Sequence, residues 1–189
     1  SNIGSYEERI KGFPWQLADN ELDYRQGDPV NIGWYCSDRI CNNCRGDKTA
    51  LFYEGFGGSE KQFTFNDIRL ASNTVGSFLR NLGIQPEDRV CLFMDRIPEL
   101  YLGFLGILKI GAIVQPLFSA FGDESLFVRL ENAGTRAIIT QRKHLQKIRK
   151  IRNRLPSLEF IIITDHIKHK ELEDREVAFS LDEAAPVEN

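Results

Sequence analysis

Arg142, Lys143, Lys147, Arg149, Lys150, Arg152 and Arg154 crowd one short segment of a chain whose formal net charge is -3. Guanidinium groups take phosphate oxygens two at a time and ammonium groups take them as point charges, so this segment has the chemistry to hold a phosphorylated ligand. The same residues also describe a solvated helix face, because Leu145, Ile148 and Ile151 recur at helical spacing and would pack inward while the cations stay wet. Nucleic acid is the poorest of the three readings. No stacking aromatics are interleaved with the charges, and the net charge offers no whole-surface attraction.

The loop Phe118-Ser119-Ala120-Phe121-Gly122 leaves the carboxyl end of a predicted parallel strand and enters a predicted helix near Asp123. Ligands of open α/β sheets favour that position. Gly122 would let a backbone or a ligand come close, and Asp123 can cap the helix, although a plain turn needs nothing more than these residues. Cys36, Cys41 and Cys44 have the C-x4-C-x2-C spacing of a plant-type iron–sulfur site, with Cys91 as a fourth ligand. Against this, residues 31–43 read as a helix presenting Ile32, Tyr35, Cys36 and Ile40 on one side, and Cys91 falls in an apolar strand where thiols act as small hydrophobes. The expectation is no metal and no disulfide framework. His144, His166 and His169 stand in polar segments and are expected at the surface, with Lys168 and Lys170 opposing any cation at the last two. The sequence has no G-x-x-x-x-G-K-[ST], no G-x-G-x-x-G after a strand, no H-E-x-x-H and no G-x-S-x-G, so no catalytic residue is assigned.

The elements that must position these residues are legible from residue 48 onward. Residues 49–54 and 61–65 read as a hairpin joined by Gly55-Phe56-Gly57-Gly58-Ser59, a turn rather than a phosphate cradle because no helix follows it. Thr64 and Asp67 have capping-box spacing, and Ile68, Ala71, Val75, Phe78, Leu79 and Leu82 continue at helical intervals to Gly83. An apolar strand over 89–94 and a buried helix from Pro98 to about residue 110 follow. Strands over 113–117, 136–140 and 159–164 then alternate with helices over 123–133 and 143–153. Strands separated by helices imply an α/β fold: a doubly wound, flavodoxin- or Rossmann-like, mostly parallel sheet, preceded by an irregular helical arm and a β-hairpin. The expected organisation is an arm with short helices over 1–47, an α/β subdomain over 48–165, and a linker or truncated element over 166–189.

The chain of 189 residues is 42% apolar and 11% aromatic, enough to bury a real core. Its longest apolar run, residues 97–117, is interrupted by Glu99, Lys109, Gln115 and two prolines, which suits a core element and not a membrane span. No export signal precedes Tyr6, so a cytoplasmic location with no membrane partner is the expectation.

Several blocks in order resemble one family. Phe63-Thr64-Phe65-Asn66-Asp67-Ile68 resembles the T-Y-x-E-L block of the adenylate-forming enzymes, with Asp67 for its glutamate and Ile68 for its leucine. Leu108-Lys109-Ile110-Gly111-Ala112-Ile113-Val114-Gln115-Pro116-Leu117 resembles their L-K-x-G-A-x-x-x-P-L block nearly throughout. Asn-Ile-Gly-Trp-Tyr-Cys-Ser-Asp-Arg at 31–39, Pro98-Glu99-Leu100 and Arg129-Leu130-Glu131-Asn132 resemble segments of acetyl-CoA and related short-chain acyl-CoA synthetases. The resemblance implies the N-terminal part of an AMP-forming acetyl- or acyl-CoA synthetase, inactive as an isolated piece. Such enzymes convert a small carboxylic acid, ATP and CoA into acyl-CoA, AMP and pyrophosphate with Mg²⁺; their phosphate loop and catalytic lysine lie downstream of the blocks seen here. By position, the resemblance points to Phe121, Gly122, Arg142, Lys143 and Arg149 as CoA contacts, with only Arg149 matching the family's basic spacing tolerably. An aryl-CoA ligase or an adenylation domain is the neighbouring reading. A stand-alone flavodoxin-like module that binds a phosphorylated ligand is the reading from another class.

Overall fold

The computed structural model describes residues 5–12, 14–25 and 27–181. Contacts divide the chain into a unit up to Val30 and a unit from Asn31 onward. The first holds α1 (Tyr6–Ile10) and α2 (Trp15–Leu22). Asp23 enters the left-handed region after α2, which lets the Tyr24 N–H reach back to the Asp19 carbonyl at 2.8 Å.

The second unit opens with α3 (Ile32–Cys36), whose cap Asn31 accepts the Trp34 N–H at 3.1 Å. The single helix expected over residues 31–43 is broken at Ser37. Its side chain bonds the Gly33 carbonyl at 2.7 Å and the Asp38 carboxylate at 2.8 Å, a local alternative to helical continuation. Then come α4 (Asp38–Ile40) and a wide turn, Cys41–Arg45, in which Asn43 and Cys44 leave helical geometry.

Strands β1 (Thr49–Glu54) and β2 (Glu60–Thr64) form the expected antiparallel hairpin. Helix α5 (Phe65–Asn81) starts from the expected capping box. The Thr64 hydroxyl accepts the Asp67 N–H at 3.1 Å, and the Asp67 carboxylate accepts the Thr64 N–H at 2.8 Å. The remaining elements are β3 (Arg89–Met94), α6 (Pro98–Lys109), β4 (Ile113–Phe118), α7 (Asp123–Ala133), β5 (Ala137–Thr140), α8 (Leu145–Ile151), β6 (Phe160–Ile163) and β7 (Glu176–Ala178). Single 3-10 turns flank α8 at Arg142–His144 and Arg152–Arg154, so the basic segment is helical throughout but tightened at both ends.

The five strands order as β4-β3-β5-β6-β7, all parallel. The segment expected as a linker or truncated element thus contributes an edge strand, with Ile162 opposite Val177. Alternation along the central strands separates two cores. Cys91, Phe93, Ile138 and Ile161 pack under α7 and α8, while Val90, Leu92, Ile139 and Ile162 pack under α5 and α6. Helices on both faces make the sheet doubly wound, as expected. α5 and α6 cross closely because Gly106 carries no side chain; a Cβ there would lie 2.8 Å from the Ser72 carbonyl oxygen. No helix among the described residues is long and apolar enough to cross a membrane.

Candidate functional site

The chain leaves β3 through α6 to pair β4 on one side, then recrosses through α7 to place β5 on the other side of β3. The carboxyl ends of these strands therefore form the edge at which an open α/β sheet takes ligands. A cleft of about 500 Å³ lies there, with Met94, Leu100, Pro116 and Leu117 as apolar lining and Asp95, Arg96, Phe118 and Ser119 as its other walls. Arg96 is exposed and makes no ion pair among the described residues.

Asp95, the first residue after β3, ties the loops of this edge together. Its carboxylate pairs with the Lys143 ammonium, lies 3.1 Å from His144 Nε2 and accepts from the Ser119 side chain, while its N–H donates to Gln141 Oε1 at 2.9 Å. The Lys143 bond is the chief reason that the carboxyl is pulled down to about 2. Beneath it, the Thr140 hydroxyl donates to the Phe93 carbonyl at 2.6 Å and locks β5 to β3. His144 is buried, with its ring 5.3 Å from that of Phe93. Burial lowers its pKa and Asp95 only partly opposes that, so the imidazole stays neutral near pH 7. The surface position expected for His144 is therefore corrected: Arg142 and Lys143 stay exposed while the His144 ring enters the core edge beside Phe93. His166 and His169 are exposed, as read.

The loop 118–122 and the basic segment are brought together. Lys147 Nζ donates to the carbonyls of Ser119 and Phe121, each at 3.0 Å. Phe121 is half-buried, with the Arg129 guanidinium 4.2 Å from its ring centre, and Gly122 caps α7 with open space where a side chain would stand. Arg142 pairs with Glu171 at 2.7 Å. Arg149 sits farther along α8, beneath β7. It donates to both oxygens of Glu176 at 2.8 and 2.7 Å and pairs with Glu173 at 2.9 Å. Lys150 pairs with Asp123 and Arg154 with Glu124, both at 2.8–2.9 Å, and Arg152 with Glu173 at 2.9 Å. Burial pushes the Glu176 carboxyl up, but the Arg149 and Glu173 N–H bonds outweigh that and hold it below its usual value.

The five residues expected to meet CoA thus fall into two groups. Phe121, Gly122, Arg142 and Lys143 gather at the carboxyl edge, and Arg149 is drawn to the β7 side by Glu176. Sequence reasoning missed Asp95 and placed His144 at the surface, while Ser119 lay in the loop it singled out without a role of its own. The one usable signal was position, since Asp95 and Gln141 directly follow predicted strands.

The iron–sulfur spacing does not close. Cys91 is fully buried in β3, where burial raises its thiol pKa, and Cys36 and Cys44 are exposed. Among the described residues no group of acidic, histidine or cysteine side chains is placed to hold a metal ion.

Residues 38–188 match the model of the AMP-binding enzyme family. The chain is similar to an acetyl-coenzyme A synthetase of Bacillus subtilis, 35% identical over 86% of this chain and 28% of that protein. It is also similar to a 3-hydroxypropionyl-coenzyme A synthetase of Sulfurisphaera tokodaii, 33% identical over 71% of this chain and 21% of that protein. Among solved structures, an acyl-CoA synthetase of Brucella canis superposes with a TM-score of 0.83 at 25% identity, covering 98% of this chain and 34% of that one. An anthranilate CoA ligase in complex with anthranoyl-AMP superposes with a TM-score of 0.64 at 28% identity, over 72% of this chain and 25% of that one. The chain thus spans 28% or less of the length of these curated relatives.

Proposed function

Because the chain belongs to the AMP-binding enzyme family, we propose that it forms the N-terminal part of an AMP-forming acetyl- or acyl-CoA synthetase of the cytoplasm. The observation that carries this reading is the 35% identity to an acetyl-coenzyme A synthetase over 86% of the chain. The reaction would join a small carboxylic acid to CoA through an acyl-adenylate, with ATP split to AMP and pyrophosphate. The ATP phosphates and Mg²⁺ find no fitting residues here, since the sequence lacks a phosphate loop and the described residues make no metal cluster. Those groups are left to other residues of the enzyme.

What this chain contributes is the carboxyl-edge face. Gly122 leaves the backbone open to close approach, Phe121 presents a ring braced by Arg129, and Arg142 and Lys143 offer cations at the rim. In this proposal CoA meets those four residues. Arg149, fifth of the set, acts as a contact only if CoA displaces Glu173, and otherwise as the residue that holds β7 through Glu176.

The test is made on the polypeptide that carries this chain. Acid-dependent release of pyrophosphate from ATP, followed by CoA-dependent release of AMP, is expected with acetate or a related short acid. Preference for an aromatic acid would favour the aryl-CoA ligase reading, which the likeness to the anthranilate ligase supports. No pyrophosphate release with any carboxylic acid would end the proposal. In the active enzyme, Arg142→Ala should raise KM for CoA with little change in KM for ATP. An unchanged CoA dependence removes that residue from the contact set, and Arg149→Ala is judged by the same measurement.

A further inference from the structure

Asn73, Ser77 and Arg80 stand about one turn apart on α5 and form one wall of a pocket of about 280 Å³. Lys109 and Ile110 at the end of α6 and Trp34 of α3 with its cap Asn31 line the other side. Since α6 runs back against the strands, this pocket lies at the amino edge of the sheet, opposite the cleft at the carboxyl edge. No carboxylate lines it.

Its donors are unusual for a helix packed on a core. Asn73 is 4% exposed. Its Oδ1 accepts from Lys109 Nζ at 2.7 Å, which orients the amide, and its Nδ2 has no hydrogen-bond partner among the described residues. A buried donor left unmade bears the full desolvation penalty of the group, so an acceptor entering the pocket would relieve it. The side chains of Ser77 and Arg80 likewise make no hydrogen bond or ion pair among the described residues. Behind Asn73, the Lys109 ammonium is buried and balanced by Asp38 at 2.5 Å, so the floor is neither acidic nor hungry for a carboxylate from this chain. The arrangement presents amide N–H, hydroxyl and guanidinium donors toward one small space beside an indole face.

We infer that this pocket is a second ligand site, separate from the carboxyl-edge cleft, and that it takes a small oxyanion, a carboxylate or a phosphate group, on Asn73, Ser77 and Arg80 with Trp34 as its apolar wall. The volume falls just under the range of about 300–1,000 Å³ for drug-sized ligands, which suits a compact anion and excludes a dinucleotide.

5-Fluorotryptophan labelling of the polypeptide that carries this chain gives fluorine resonances that include those of Trp15 and Trp34, and Trp15→Phe and Trp34→Phe assign the two. Sodium phosphate and sodium acetate are titrated in separate arms with ionic strength held by chloride. A saturable shift of the Trp34 resonance, not followed by Trp15, is expected in at least one arm. A response to phosphate alone identifies a phosphoryl source, and a response to acetate alone a carboxylate. Arg80→Gln should raise the midpoint roughly tenfold, the scale of one lost charge-assisted bond. Asn73→Asp keeps the acceptor for Lys109 but replaces the free donor by a negative charge, and should abolish the shift. If Asn73→Asp fails to fold, Arg80→Gln, at an exposed position, decides alone. No saturation in either arm, or a midpoint that Arg80→Gln leaves unchanged, overturns the inference.

Discussion

Along residues 142–154 each cation meets a carboxylate or carbonyl of a neighbouring element, whereas the stripe Asn73, Ser77 and Arg80 on α5 ends in donors that meet none among the described residues. In the sequence the basic segment has the marks of a ligand site, and the α5 stripe has only those of an ordinary amphipathic helix. Charge density along a chain and free binding capacity in space are therefore different quantities. Most of a dense row of cations can close into an internal network, here with acids from α7, from β7 and from the loops after β3 and before β7, while Arg142 and Lys143 stay about half exposed at the rim. A sparse polar stripe can keep its donors because it faces a pocket that no carboxylate lines.

The sharpest way to break this comparison is to remove the acid at the centre of the basic network. The Glu176 side chain is 0% exposed and takes both Arg149 bonds and the Glu173 N–H at 3.0 Å. Glu176→Ala should cost about 1–3 kcal/mol, because Arg149 loses its two-pronged buried acceptor and keeps only Glu173 and the Glu171 carbonyl. The measurement is the urea midpoint at constant m-value. A loss under about 1 kcal/mol would mean that the network is dispensable and that its cations are as free to bind as their density in sequence suggests.

An effect of intermediate size is expected from pH. Glu176 and Asp95 are both held below their usual values, so each stabilises the fold fully above its unfolded value, 4.5 and 3.8 respectively, and that support is lost as pH falls through the lower folded value. His144 adds an earlier step. Its folded pKa lies below 6.5, so under pH 6.5 the unfolded chain binds the extra proton and stability declines. Urea midpoints from pH 8 to 3 should therefore fall in two stages. His144→Gln should remove the first stage and leave the other, and an unchanged first stage would assign it to another group.

The partner geometry behind these predictions was not legible in the sequence, although the frame that carries it was. α6 and α7 begin and end where Pro98 and Gly134 place them, and the Thr64–Asp67 capping box starts α5, because these are local signals of helix ends. β7 escaped notice because three residues, Glu-Val-Ala, carry no periodicity; it is a strand only because β6 offers it an edge. The break at Ser37 depends on which local acceptor a hydroxyl finds. The ion pairs of the basic segment reach across 21 to 48 positions, as from Arg152 to Glu173 and from Lys143 to Asp95, so no spacing rule within residues 142–154 could expose them. The same distance hid the hub of the carboxyl edge, where Asp95 gathers Ser119 from one loop and Gln141, Lys143 and His144 from another.

The smallest expected effect is at the outer end of the basic segment, and it tests whether the network is graded by burial. Lys150 is 64% exposed and its partner Asp123 is 36% exposed, so screening and side-chain entropy should cancel most of their attraction. Lys150→Ala should change stability by no more than about 0.5 kcal/mol, and raising the salt concentration should shrink even that. Arg154 differs in one respect, since its guanidinium also lies 3.6 Å from the ring centre of Phe127. Arg154→Ala should therefore cost more than Lys150→Ala, and the excess should survive high salt because stacking on a ring is less screened than an exposed ion pair. Equal, salt-sensitive losses at both positions would show that Arg154 contributes only its charge, and would place the whole outer row of α8 in solvent.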